Sequence, residues 1–449
     1  MTVHSPAMPP SSPTLAWPSP GSHRVPFGAY TSPALHAIEL ERFFYKQHWC
    51  YAGLEAEVPH PGDFKRTVVG ERSVLMVRDM DGAIHVVENL CAHRGMAFCR
   101  ERHGNKKDFT CPYHQWNYSL KGDLQGVPMR RGVRQDGQLQ GGMPADFNNA
   151  EHGLTKLKVA RRGGVVFASF DHSVETFEDF VGPAVLRWFD RLFDGRELTL
   201  LGYNRQRIAG NWKLMQENIK DPYHPGLLHT WFVTFGLWRA DNRSQLVMDA
   251  KHRHAAMIST RGATGAAGTL TQVASFKPDL QLRDARFLDI VPEPWWNGPT
   301  AVMTTLFPSL VIQQQVNSVS MRHIQPDGHG HFNFEWTHFG FANDSPEMTQ
   351  RRLRQANLFG PAGFVSADDG EVIEMSQQAF ASKPGGDTLV ELGGLRADVR
   401  QIGESWLWNV TDAELDAQGT SLASGCEPNP EQATRKAAES MAAMIARGV

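Results

Sequence analysis

The chain has 449 residues, 41% of them hydrophobic and 21% charged, enough for two or three globular domains. A formal charge of -3 lacks the basic excess of a nucleic-acid binder. No uninterrupted apolar run of about 18 residues occurs, so no membrane span is expected. Five cysteines (Cys50, Cys91, Cys99, Cys111, Cys426) are too few and too odd for a disulfide framework, and fit a reducing cytoplasm. Histidine is more plentiful, at 19.

The first twenty-odd residues are rich in Pro and Ser without the basic and apolar regions of a secretory signal, and read as a surface extension. A helical pattern begins at Ser32. Residues 48–165 read as short strands between turns, with Ser73 to Arg78 and Ile84 to Glu88 flanking an Asp81-Gly82 hairpin signal. From 166 onward helix and strand signals alternate. Helices are predicted from Pro183 to Gly195, Asn211 to Ile219, Met348 to Leu358 and Ser366 to Phe380. Strands are predicted at Leu198 to Ile208, Ala301 to Phe307, Leu310 to Val319 and His331 to Phe341. A last helix is predicted from Pro430 to Ala446. The fold class is α+β: residues 1–47 form an extension and helix, 48–165 a small all-β domain, and 166–449 a larger domain with an antiparallel sheet flanked by helices.

Two Cys-His pairs stand in the β-rich part. Cys91-Ala-His93 and Cys111-Pro-Tyr-His114 are separated by seventeen residues. Two thiolates for one iron and two imidazoles for the other are the ligand set of a Rieske [2Fe-2S] centre. Zinc sites of the Cys2His2 kind instead keep cysteine with cysteine and histidine with histidine. Turns at Gly95, Gly104 and Gly122 are expected to bring backbone amides toward the sulfurs. Cys50, Cys99 and Cys426 read as buried or free thiols.

A second group lies in N-W-K-L-M-Q-E-N-I-K-D-P-Y-H-P-G-L-L-H, residues 211–229. His224 and His229 are five apart, which on an ideal helix leaves them roughly 140° apart. Pro225-Gly226 supplies the break that swings them together. Two histidines and a carboxylate are the facial triad of non-haem Fe(II) oxygenases. The acidic stretch from Ser366 to Glu374 offers the carboxylate, with Asp368 and Asp369 both open, though Ser366 also reads as a helix cap. Asp221, three before His224, is placed to accept a hydrogen bond from it.

These motifs resemble the large (α) subunits of Rieske non-haem iron aromatic-ring hydroxylating oxygenases, from about Val25 to Leu395. The resemblance is carried by V-V-E-N-L-C-A-H-R-G-M, C-P-Y-H-Q-W-N-Y-S-L-K-G-D, the 211–229 segment and F-G-P-A-G-F-V-S-A-D-D-G-E. It implies that Cys91, His93, Cys111 and His114 bind the cluster, and that His224, His229 and Asp369 bind mononuclear Fe(II). Asn218 would lie close to the iron, and Asp221 would bridge the two centres across subunits. The larger domain would be helix-grip-like. The implied activity is hydroxylation of an aromatic carboxylic acid with O2 and electrons from NADH, salicylate to gentisate first, with dioxygenation of anthranilate or a halobenzoate next. Implied partners are a ferredoxin, an NADH-dependent reductase and a small β subunit in an α3β3 hexamer. A Rieske electron carrier without a second iron is the reading from another class. Arg322, Gln313, Gln315 and Asn317 are candidates to anchor a carboxylate, and Met257 and His254 to line an apolar wall. Simple alternation sets Arg322 on the face opposite to the glutamines unless a bulge intervenes. After Asp398 the sequence departs from the family.

Overall fold

The computed structural model describes residues 24–389, apart from 222–223, 240, 252 and 264–270, together with strand residues 399–402, 405–408 and 423–424. The Pro/Ser-rich extension, Cys426 and the helix expected at 430–446 lie outside the described residues. The chain divides into two compact units, one of Phe43–Phe180 with Phe193–Leu200, the other of the remainder.

The larger unit begins with β1 (Arg24–Pro26) and helices α1 (Gly28–Thr31) and α2 (Pro33–Glu39), where Ser32 caps α2 by accepting the Leu35 N–H. The smaller unit follows with β2 (Cys50–Leu54), β3 (Asp63–Val69), β4 (Arg72–Arg78), β5 (Ile84–Glu88), β6 (His103–Asn105), β7 (Asp108–Thr110), β8 (Asn117–Ser119), β9 (Leu124–Gly126), β10 (Val133–Gln135), β11 (Gln138–Gln140), β12 (Lys158–Arg162) and β13 (Val165–Ser169). They form antiparallel sheets in the orders β5-β4-β3-β6, β7-β8-β9, β10-β11 and β12-β13-β2. The β4–β5 hairpin turns where its Asp-Gly signal stands. Gly82 takes φ +85°, and the Asp79 carboxylate accepts the Asp81 and Ala83 N–H groups. Because β13 pairs with β2, this unit runs past residue 165, through α3 (Phe177–Val181) toward Phe180.

In the larger unit α4 (Pro183–Leu192) precedes β14 (Leu198–Ile208), α5 (Trp212–Lys220), α6 (Pro225–Leu228) and α7 (Thr230–Thr234). Strands β15 (Arg243–Met248), β16 (Ala255–Thr260), β17 (Ala301–Leu306), β18 (Leu310–Gln315), β19 (Ser318–Pro326) and β20 (Phe332–Phe341) come next, then α8 (Pro346–Phe359), α9 (Phe364–Ser382) and β21 (Asp387–Leu389), which pairs with β1. The sheet runs β14-β20-β19-β18-β17-β16-β15-β23-β22. Its last members are the hairpin β22 (Val399–Ile402) and β23 (Ser405–Trp408), and β24 (Ala423–Ser424) also pairs with β15. The segment after Asp398 thus adds strands to this sheet.

Two corrections concern the site. The stretch from Leu310 to Val319 is no single strand: Val316 takes φ +47°, a left-handed conformation rare for a β-branched residue, and turns the chain back. Asn317 holds that turn from outside the sheet, donating to the Val291 carbonyl and Glu293 and accepting the Val291 N–H. It is a tie for the turn. The same turn reverses the parity count, so Val311 pairs with Arg322 and Gln313 with Ser320. Cross-strand partners share a face, which sets Arg322 beside Gln313 and Gln315. The second correction is at α9. It starts at Phe364 with Gly363 as its cap, and Ser366 lies inside the helix, donating to Gln206.

The sheet has two different faces. Val247, Ala256, Ile258 and Val302 pack against Ala184 and Trp188 of α4. Met257, Met303, Gln313, Gln315, Ser320 and Arg322 occupy the other.

Candidate metal centres

The two Cys-His loops are built alike. Cys91 N–H donates to the Met96 carbonyl and Gly95 N–H to the Cys91 carbonyl; Cys111 N–H donates to Trp116 and Gln115 N–H to Cys111. The fourth residue after each cysteine, Gly95 or Gln115, takes a positive φ, of 69° or 56°. Both cysteines are buried, and the two imidazoles sit farther out with ring centroids 4.5 Å apart. Each loop thus contributes one inner sulfur and one outer nitrogen.

The surroundings fit a [2Fe-2S] cluster. His93 Nδ1 is buried with no hydrogen-bond partner among the described residues. Burial, then the neighbouring His114 and Arg94, hold the His93 pKa below its ordinary value, which favours the neutral imidazole a metal needs. Burial and the adjacent Cys91 push the Cys111 thiol up, so that sulfur ionises only beside a compensating cation. Trp116 stacks on His93 at 4.8 Å, and Tyr118 Oη lies 3.2 Å from Cys91 Sγ. Neither contact follows from spacing. Of the three turn glycines only Gly95 belongs to a cluster loop. Gly104 faces the Phe64 ring, and Gly122 packs against Val87 and Leu154. Cys50 and Cys99 are buried free thiols, and burial pushes both up.

The second centre forms where α5 ends. Asn211 caps α5 by accepting the Lys213 N–H, and Asp221 closes it. His224 and His229 then stand at the two ends of the one-turn helix α6, so neither is held to ideal helical spacing. Their rings approach to 5.2 Å. Asp369 on α9 completes the group: its Oδ1 lies 3.4 Å from His224 Nε2 and 3.4 Å from His229 Nε2. The three ligand atoms lie within 4.8 Å of one another. Asn218 donates to Asp369 Oδ1 at 3.3 Å.

The far side of each imidazole also meets a carboxylate. Asp221 lies 3.4 Å from His224 Nδ1, and Asp368 lies 3.2 Å from His229 Nδ1. Adjacent aspartates therefore do different jobs: Asp369 points at both Nε2 atoms, whereas Asp368 orients one ring from behind. Successive helical residues diverge by about 100°, which separates the two. Burial disfavours charge on His224, yet Asp221 and Asp369 outweigh it and hold its pKa up at about 9. The pocket demands positive charge, as a divalent metal would supply.

The candidate substrate residues lie on the sheet face described above. Gln313 and Arg322 are buried, Gln315 is 9% exposed, and Met257 is half-buried. Burial pushes the Arg322 guanidinium down to about 9 against the pull of Asp369, leaving it charged at neutral pH. Arg322 lies over the Trp336 ring at 4.0 Å. His254 is fully buried and accepts the Phe307 N–H.

Residues 48–136 match the family described as the Rieske [2Fe-2S] domain, and residues 193–412 match the ring hydroxylating alpha subunit (catalytic domain). The chain is 73% identical to the large oxygenase component of salicylate 5-hydroxylase from Ralstonia sp., over 84% of this chain and 90% of that one. It belongs to the large subunits of the ring-hydroxylating oxygenases. Identity to the large subunit of anthranilate 1,2-dioxygenase from Burkholderia cepacia is 39%, covering 84% of this chain and 88% of that relative. Naphthalene 1,2-dioxygenase from Rhodococcus sp. shares the fold, with a TM-score of 0.72 at 21% identity and 94% of each chain covered. This ring-hydroxylating oxygenase subunit is an enzyme component whose two domains imply a Rieske cluster and a mononuclear iron. Its relatives are named as large components or subunits of their oxygenases, that is, as parts of multicomponent systems. No helix among its described residues is long and apolar enough to cross a membrane.

Proposed function

We propose that this oxygenase subunit hydroxylates an aromatic carboxylic acid, salicylate to gentisate by 5-hydroxylation. The 73% identity to a salicylate 5-hydroxylase large component carries this reading. Donor-bearing side chains on the sheet face opposite α4 support it, because a buried carboxylate needs donors. In this reading Gln315 meets the carboxylate, Met257 bounds the apolar part of the ring, and Arg322 supplies positive potential nearby.

Cys91, His93, Cys111 and His114 would hold the cluster, and His224, His229 and Asp369 the iron, within electron-handling and oxygen-handling domains. Bound there, the cluster supplies single electrons and the iron supplies the site at which O2 reacts with the ring. The protein's own part is positional. Asp221 and Asp368 steady the two imidazoles, Asn218 steadies Asp369, and the sheet face turns one edge of the ring toward the triad. Asp221 would also link His224 to a cluster histidine of a neighbouring copy within an α3β3 assembly with a small β subunit. A ferredoxin fed by an NADH-dependent reductase would deliver the electrons, in the cytoplasm.

Product analysis with salicylate, NADH and competent partner proteins tests the proposal. Gentisate is expected, and its absence with full electron delivery rejects 5-hydroxylation. Anthranilate or a halobenzoate consumed to a diol would favour the dioxygenase alternative, in keeping with the 39% relative. Three irons per chain are expected; two would match an electron carrier.

A further inference from the structure

Gln313 and Gln315 stand two residues apart on β18 and share a face, where their side-chain amides meet. A glutamine amide can present either end, an oxygen that accepts or a nitrogen that donates, and its neighbours decide which. Here Arg322 decides. A guanidinium has five N–H donors and no acceptor, so Gln313 Oε1 is the atom that faces Arg322 Nη2. Gln313 Nε2 is then turned to Gln315 and donates to Gln315 Oε1. The oxygen of Gln315 is used, and its N–H end is left for whatever lies beyond.

The start of this chain is fixed. Arg322 is 4% exposed and stacked over Trp336, held across the hairpin from Val311 on the strand that carries both glutamines. No rotation of its guanidinium turns a donor into an acceptor. Polarity set at Arg322 is therefore transmitted through Gln313 to Gln315 without alternative, as long as each amide keeps its partner.

We propose that Arg322 is a positioning residue for substrate selection: through Gln313 it locks the Gln315 amide with its N–H end outward, so that the site accepts a carboxylate or another pure acceptor. The relay rests on the reading above that Gln315 meets the substrate carboxylate. It adds that selectivity originates two side chains away from the contact.

Gln313→Glu tests it with little change of size. The introduced carboxylate still satisfies Arg322 but only accepts, so Gln315 must turn its N–H end inward and offer its oxygen to the ligand. Salicylamide is the probe, since it matches salicylate in shape and carries N–H donors a carboxylate lacks. In titration calorimetry of the assembled, iron-loaded enzyme, Q313E should bind salicylate about tenfold more weakly or worse, and salicylamide more tightly than wild type does. The added negative charge alone would weaken salicylate and leave salicylamide unchanged; that result overturns the relay. Arg322→Lys keeps a donor-only partner and should retain the wild-type order of the two ligands; a reversed order also overturns it. Gln315→Leu separates the two levels. A loss of about tenfold for salicylate sustains the carboxylate contact on which the relay rests, and no loss removes that contact and the relay with it.

Discussion

At the scale of single residues, the triad shows how neighbouring identical side chains come to differ. Asp368 and Asp369 have the same chemistry, and only the helical turn between them assigns one to both Nε2 atoms and the other to the back of His229. Replacing Asp369 by Asn should abolish iron retention. Asp368→Asn keeps the shape but weakens the hold on the imidazole, and iron affinity should fall about 10- to 100-fold. Iron remaining after dialysis against a graded chelator measures both, with no need for turnover. Equal losses in the two variants would contradict the division of labour.

At the scale of elements, the placement of Asp369 depends on how α9 leaves α8. Gly363 joins them, and a Cβ there would lie 2.0 Å from the Leu358 carbonyl oxygen. That neighbour is backbone and cannot swing aside. Gly363→Ala is expected to cost about 1–3 kcal/mol, with the junction shifted. A lowered Tm together with reduced iron content checks it; an unchanged Tm would mean that the junction absorbs the methyl group. Most such elements were legible in the sequence. Strand Leu198–Ile208 and the hairpin around Gly82 carried their own periodicity and turn signals, and His224 and His229 announced themselves by an interrupted spacing. The turn at Val316 did not, because a valine in the left-handed region is imposed by Arg352, Gln355 and Glu293 from distant segments. Missing that turn also misplaced Arg322, since the face of a residue is counted through the hairpin. The backing of His229 by Asp368 and the stacking of Trp116 on His93 were equally silent, being contacts between residues that no local pattern relates.

At the scale of the molecule, the oxygen-handling unit is tied together by buried charge. Lys213 on α5 and Glu39 on α2 pair at 2.8 Å, almost fully buried, and Glu39 also accepts the Trp212 indole N–H. The N-terminal helix is thus built into the unit that holds the triad. Glu39→Ala leaves a buried ammonium without its carboxylate, and a loss of about 3–5 kcal/mol is expected. Thermal unfolding of the catalytic unit should fall sharply while the visible absorption of the Rieske cluster persists at low temperature. Loss of both signals together would show instead that the two units unfold as one. The sheet has a longer-range consequence. Met257, Met303, Gln313 and Ser320 form a row contributed by four successive strands, and none of those strands carries a triad residue. Under the proposed function, variation in this row would redraw what the enzyme accepts, one side chain at a time, and leave the triad in place.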